Sequence, residues 1–158
     1  MRLIAILEAI VMAALVALFS YIVGITFVQV ILRYVFGNSL PWVDETSRYA
    51  FIWLVFLAAA LATRRAQHIA ITVIDDTWPT MRTPLLVLGD VAMILFAGII
   101  GYGGLGLMAV NTTTTAPATG WSMAAVQTIL PLFGGLTALF ALAHLADMAL
   151  QRRRAVGS

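Results

Sequence analysis

The chain has 158 residues, of which 62% are hydrophobic and 10% charged, with a formal net charge of +2 and a mean hydropathy of +1.00. Globular domains are about 45–50% apolar and about 25% charged, so a soluble fold would lack the polar surface to cover this chain, and the composition reads as an all-α integral membrane protein. The absence of cysteine excludes disulfides, thiolate metal sites and cysteine nucleophiles, and the nine basic residues, all arginine, form no run long enough to hold nucleic acid.

The first predicted helix covers residues 3–32, an apolar run interrupted by Glu8 and Gln29. It differs from a signal peptide because the run is too long, Glu8 breaks its start and no A-x-A site follows. The second apolar stretch, 49–62, is shorter than the roughly 20 residues that a span requires. Starting the helix at Pro41, a favoured first-turn residue, and ending it near 65 makes it long enough. Its opening PWVDETSRYAFIW places Asp44, Glu45 and Arg48 against the apolar run, between Trp42 and Trp53. Helical spacing puts Trp42, Glu45 and Tyr49 on one side and pairs Asp44 with Arg48 at i,i+4. Trp and Tyr favour the membrane–water interface, and acids in a first turn suit the helix dipole. This opening is therefore an amphipathic interfacial arm, either the first turns of the span or a separate helix before it. Arg33 and Arg48 are the two candidate partners for Glu45.

A polar loop is expected after Arg64 and Arg65, holding His68 and Asp75-Asp76. The third helix is predicted over 85–110, with Asp90 near its start. Its glycines, GIIGYGGLG from Gly98, contain no GxxxG pair, yet Ala97, Gly101 and Gly104 share a face that permits close helix packing. An uncharged loop, 111–120, precedes the fourth helix at 121–150, where Pro131 predicts a kink. An arginine-rich tail, 151–158, ends the chain. With both termini in the cytoplasm, seven arginines lie inside and only Arg33 and Arg48 outside, the arrangement that the positive-inside rule prefers.

Ionisable groups in membrane spans are functional candidates. Glu8, Asp90, His144 and Asp147 all fall towards the cytoplasmic ends, within reach of water or arginine. His144 and Asp147, at i,i+3, form either a proton-handling pair or an interfacial hydrogen bond. His68 and His144 are the only histidines and hence the only candidate haem ligands. Asp75-Asp76 lack a third metal ligand nearby. The middle of each helix contains no Asp, Glu, Arg or His, whereas a self-contained transporter usually keeps polar groups at the midplane.

Read from Arg33, RYVFGNSLPWVDETSRYAFIWLVFLAAALATRRAQHIAI resembles the small membrane subunit, the DctQ family, of tripartite ATP-independent periplasmic (TRAP) transporters. The matching elements are Arg33, Trp42-x-x-Glu45, Trp53, Ala58–Ala60, Arg64-Arg65 and His68-Ile69, followed by TAPATGW and the later Leu130-Pro131. One departure is Ala58, where the family pattern has glycine. The resemblance implies a non-transporting subunit without a cofactor in the bacterial inner membrane. Its implied partners are a large permease subunit, which holds the substrate and sodium sites, and a periplasmic binding protein that delivers an organic acid. It implies a static scaffold for an elevator-type motion and a share of the periplasmic docking face, with Trp42 and Glu45 bracing the arm. Two rivals are a four-helix multidrug-type exporter, which needs a carboxylate deeper in helix 1 than Glu8, and a haem-binding membrane subunit.

Overall fold

A computed structural model of the chain describes the backbone of residues 2–38, 40–77 and 82–156, and the side chains of residues 4–38, 40–63 and 84–146. Among these described residues five helices follow in order: α1 (Arg2–Val35), α2 (Pro41–Thr77), α3 (Arg82–Val110), α4 (Met123–Gln127) and α5 (Ile129–Val156). Among the described residues four stretches are long and apolar enough to cross a membrane, namely Ile4–Val35, Pro41–Thr63, Pro84–Val110 and Met123–Ala146. The connections 36–40 and 111–122 share one end of the bundle, called here the turn end. The start of α1, the end of α2, the start of α3 and the end of α5 occupy the opposite end, called here the termini end.

Local chemistry sets the boundaries. Gly37 takes a positive φ of 64°, and this left-handed step lets the Asn38 N–H reach back to the Leu32 carbonyl at 3.1 Å and close α1. Pro41 then opens α2, where its missing N–H costs nothing. The arm and the span after it are one uninterrupted helix, so the segment from Trp42 to Trp53 forms the first turns of α2.

Three helices extend beyond their expected ends. α2 passes Arg65 and continues to Thr77, so the backbone expected as a polar loop is helical there. No glycine or proline interrupts it before Pro79. α5 likewise runs through Arg152, Arg153 and Arg154 to Val156, because arginine is a good helix former and suits the negative end of the dipole. α1 gains a turn at its far end and stops at Val35. The predicted kink in the last helix lies one turn before Pro131. The proline ring collides with the carbonyl four residues back and offers it no donor. That carbonyl belongs to Gln127, where α4 stops; Thr128 follows, and α5 begins at Ile129.

The tightest packing is between α3 and α5. A Cβ added at Gly134 would sit 2.6 Å from the Ala97 carbonyl oxygen and 2.9 Å from Gly101 Cα. One added at Gly104 would meet Leu130 Cβ at 2.5 Å and Pro131 Cδ at 2.8 Å. The small face of α3 is thus covered by α5 of the same chain. Phe133 on α5 stands edge-on to Phe56 of α2 and Phe96 of α3, at centroid distances of 5.3 and 6.3 Å, a favoured aromatic geometry. Val11, Leu57, Leu61 and Ile129 form the main buried cluster. α1 is peripheral: only 6% of its span is buried, against 39% for the span through α4 and α5. It leans on α2 and leaves Phe19, Phe27 and Tyr34 exposed.

Candidate functional site

The polar side chains at the turn end converge on the first turns of α2. Glu45 is 8% exposed, and its Oε2 accepts the backbone N–H groups of Ala118 at 3.0 Å and Thr119 at 2.7 Å. The Tyr49 hydroxyl, one turn on, donates to Oε1 at 3.1 Å. A carboxylate that accepts two successive backbone donors and a phenol has both oxygens engaged, and such charge-assisted bonds are stronger than neutral ones. Neither Arg33 nor Arg48 is its partner; both are exposed. They project elsewhere because helical spacing turns Arg48 away from the face that Glu45 and Tyr49 present to the turn. Asp44 accepts from Gln29 Nε2 of α1 at 3.0 Å, a cross-helix bond in place of the expected i,i+4 pair with Arg48.

The turn that Glu45 holds is built from TAPATGW. The Gly120 N–H bonds to the Ala116 carbonyl at 2.8 Å and the Ala116 N–H to the Trp121 carbonyl at 2.8 Å. Gly120 has φ 70°, a left-handed step that suits glycine. Thr115 and Ser122 form an isolated antiparallel bridge. These bonds leave the N–H groups of Ala118 and Thr119 for the carboxylate. Ala116 is buried with Tyr49 and Val126, which plugs the base of the turn. Thr112, Thr113, Thr114, Thr115, Pro117 and Ala118 face outward, so the exposed surface of the turn is uncharged.

Two further side chains, Trp53 and Asn111, fix the helix after the turn. The Trp53 Nε1–H donates to the Val126 carbonyl at 3.0 Å, one of the carbonyls that a five-residue helix cannot use internally. Asn111, just past α3, donates to the Leu107 carbonyl at 3.0 Å and to Gln127 Oε1 at 3.2 Å. A largely apolar groove of about 510 Å³ opens beside this cluster, with Tyr21, Tyr49, Trp53 and Trp121 among its lining. Trp42 is 42% exposed, and its indole makes no comparable hydrogen bond among the described residues.

Nearer the termini end, His144 and Asp90 meet across α5 and α3. The His144 Nδ1–H donates to Asp90 Oδ2 at 2.7 Å, and both side chains are buried. His144 Nε2 has no hydrogen-bond partner among the described residues. The side chain of Asp147, the partner expected from i,i+3 spacing, lies outside the described residues, as do those of Arg64, Arg65, His68, Asp75 and Asp76. Among the described residues no three metal-ligating side chains come together. The polar chemistry of the described chain joins helices to one another and to the turn.

Residues 22–151 match the family model of the DctQ component of tripartite ATP-independent periplasmic transporters. The chain belongs to this family. Among its curated relatives is a TRAP transporter small permease protein of Haemophilus influenzae, 34% identical over 68% of this chain and 65% of the relative. The C4-dicarboxylate TRAP transporter small permease protein DctQ of Vibrio cholerae is 32% identical over 48% of this chain and 33% of that protein. The sialic acid TRAP transporter small permease protein SiaQ of Vibrio cholerae is 27% identical over 58% of this chain and 51% of that protein. The chain thus spans less than two thirds of the length of each. As a TRAP small membrane subunit it has its cluster of bonds, Glu45 with the 116–120 turn, wholly inside the matched region.

Sequence reasoning singled out Glu45, Trp42 and Trp53 but missed Ala118 and Thr119, because backbone donors leave no trace in side-chain chemistry. A signal was present. A Pro-Ala-Thr-Gly turn supplies N–H groups that need an acceptor, and Glu45 is an acid placed at the same end of the bundle. Asp90 and His144 were both assigned to the termini end, and their similar depth was the clue that they could meet.

Proposed function

We propose that this chain is the non-transporting small subunit of a TRAP system for sodium-driven uptake of an organic acid. It sits in a bacterial inner membrane with both termini cytoplasmic. It pairs with a large permease subunit as a static scaffold against which that subunit makes its elevator motion. Its turn end contributes to the periplasmic face on which a substrate-binding protein docks. It carries out no catalysis and needs no cofactor.

The observation that carries this reading is where the polar groups go. The middle of each span lacks Asp, Glu, Arg and His. The carboxylates of Glu45 and Asp44 and the imidazole of His144 are engaged within the chain. A transporter that carried its own substrate would place such groups at the midplane. Extensive apolar surface on α1 and α3, with Phe19, Phe27, Leu95 and Ile99 exposed, supports burial against lipid and a larger membrane partner.

Reconstitution tests this directly. Proteoliposomes holding this chain and its large permease subunit should take up the organic acid only when a sodium gradient and the binding protein are both supplied. Sodium-driven uptake by liposomes holding this chain alone would overturn the accessory role.

A further inference from the structure

We propose that Glu45 is a positioning residue for docking: its carboxylate fixes the 116–120 turn in the shape presented to the periplasmic binding protein. The proposal rests on the docking-face reading above. It also stands on geometry that reading does not use, the two bonds from the backbone of Ala118 and Thr119 to one buried oxygen.

The turn has few other constraints at its tip. Its base is closed by the Ala116–Trp121 and Ala116–Gly120 bonds and by the buried Ala116 side chain. Beyond the base, Pro117 and Ala118 are exposed. The Glu45 carboxylate is the group that reaches the tip from a different element, across more than seventy residues of sequence. Glu45 is itself held by Tyr49 from the next turn of α2, so the tip is referenced to a rigid helix. An uncharged surface cannot attract a partner over long distance. Its affinity must come from shape, and a surface that binds by shape loses affinity when it has to be ordered during binding. Removing the acid should therefore weaken docking without touching any contact residue.

The test uses the complex of this chain with its permease in nanodiscs. The cysteine-free sequence allows one spin label at Ala118→Cys, a substitution that keeps the backbone N–H. In the Glu45→Ala background the label should become more mobile, measured without binding protein. On the unlabelled complex, Glu45→Ala should weaken the equilibrium affinity for the system's periplasmic binding protein about tenfold, with permease co-purification unchanged. An unchanged label mobility overturns the proposal, whatever the affinity does. A loosened label with unchanged affinity overturns it too. In that case Thr113→Arg, which places bulk on the turn away from the clamp, separates the two failures. If it weakens binding, the docking face stands and only the role of Glu45 falls; if it does not, the docking reading falls as well. Should Glu45→Ala fail to assemble, the isosteric Glu45→Gln is read by the same two measurements, with a smaller loosening and a smaller loss of affinity expected.

Discussion

Trp53 has two separable contributions, since its ring packs in the main core while its Nε1–H serves the Val126 carbonyl. Trp53→Phe keeps most of the apolar contact and removes the bond. Side-chain hydrogen bonds between membrane helices are worth about 0.6 kcal/mol on average and up to about 2 kcal/mol, so a loss within that range is expected when the purified chain is unfolded in detergent. The Asp90–His144 bond is a different case. Its partners are both buried, and taking one partner out of a buried hydrogen bond costs about 1–3 kcal/mol. His144→Leu should accordingly destabilise the chain more than Trp53→Phe in the same titration. An order reversed from this would mean that the Asp90 carboxyl finds adequate solvation without His144. Trp53 was legible in the sequence as an interfacial aromatic, but its carbonyl partner was not. That partner exists because Pro131 breaks the last span, and the break site is a matter of backbone geometry.

At the scale of elements, adjacent glycines make a controlled comparison. Gly134 faces α3 and Gly135 faces open space, where an added Cβ meets nothing within 4 Å. Gly134→Ala would press its methyl against the Ala97 carbonyl and Gly101 Cα, both backbone atoms that move only if the helices separate. Such overpacking costs about 1–3 kcal/mol. Gly135→Ala should instead stabilise α5 by about 0.5–1 kcal/mol, through the lower backbone entropy of alanine. Unfolding the two variants side by side checks both signs; equal behaviour would mean that α3 and α5 are not in backbone contact. The sequence carried half of this contact. Ala97, Gly101 and Gly104 were recognisable as a small face, but which helix covered it depended on the long-range fold. Helix ends were read less well than helix centres. The ends of apolar runs mark where hydropathy falls, whereas a helix stops where backbone geometry requires it, at Gly37 or at Gln127 four residues ahead of Pro131.

The whole molecule segregates its chemistry by end. At the turn end lie the uncharged 111–122 connection and only two arginines, Arg33 and Arg48. The termini end has Arg2, Arg64, Arg65, Arg82 and the Arg152–Arg154 cluster, which the backbone places there through the continuation of α2 and α5. Helical extension strengthens the asymmetry, since it carries these arginines on rods that leave the apolar span and not on a slack tail. Each arginine held at the bilayer centre would cost about 2.5–3.5 kcal/mol on insertion scales, so the seven cannot be distributed through the membrane, and the positive-inside rule favours the cytoplasmic side proposed above for their end. The absence of native cysteine makes the assignment measurable without background. In intact cells Thr113→Cys should react with a membrane-impermeant maleimide, whereas Ser158→Cys should react only after permeabilisation. The reverse pattern would invert the bundle and place the turn held by Glu45 in the cytoplasm. No periplasmic protein could then meet it, and both the docking face and the positioning role of Glu45 would fall together, while the interhelical bonds and the packing of α3 on α5 would stand unchanged.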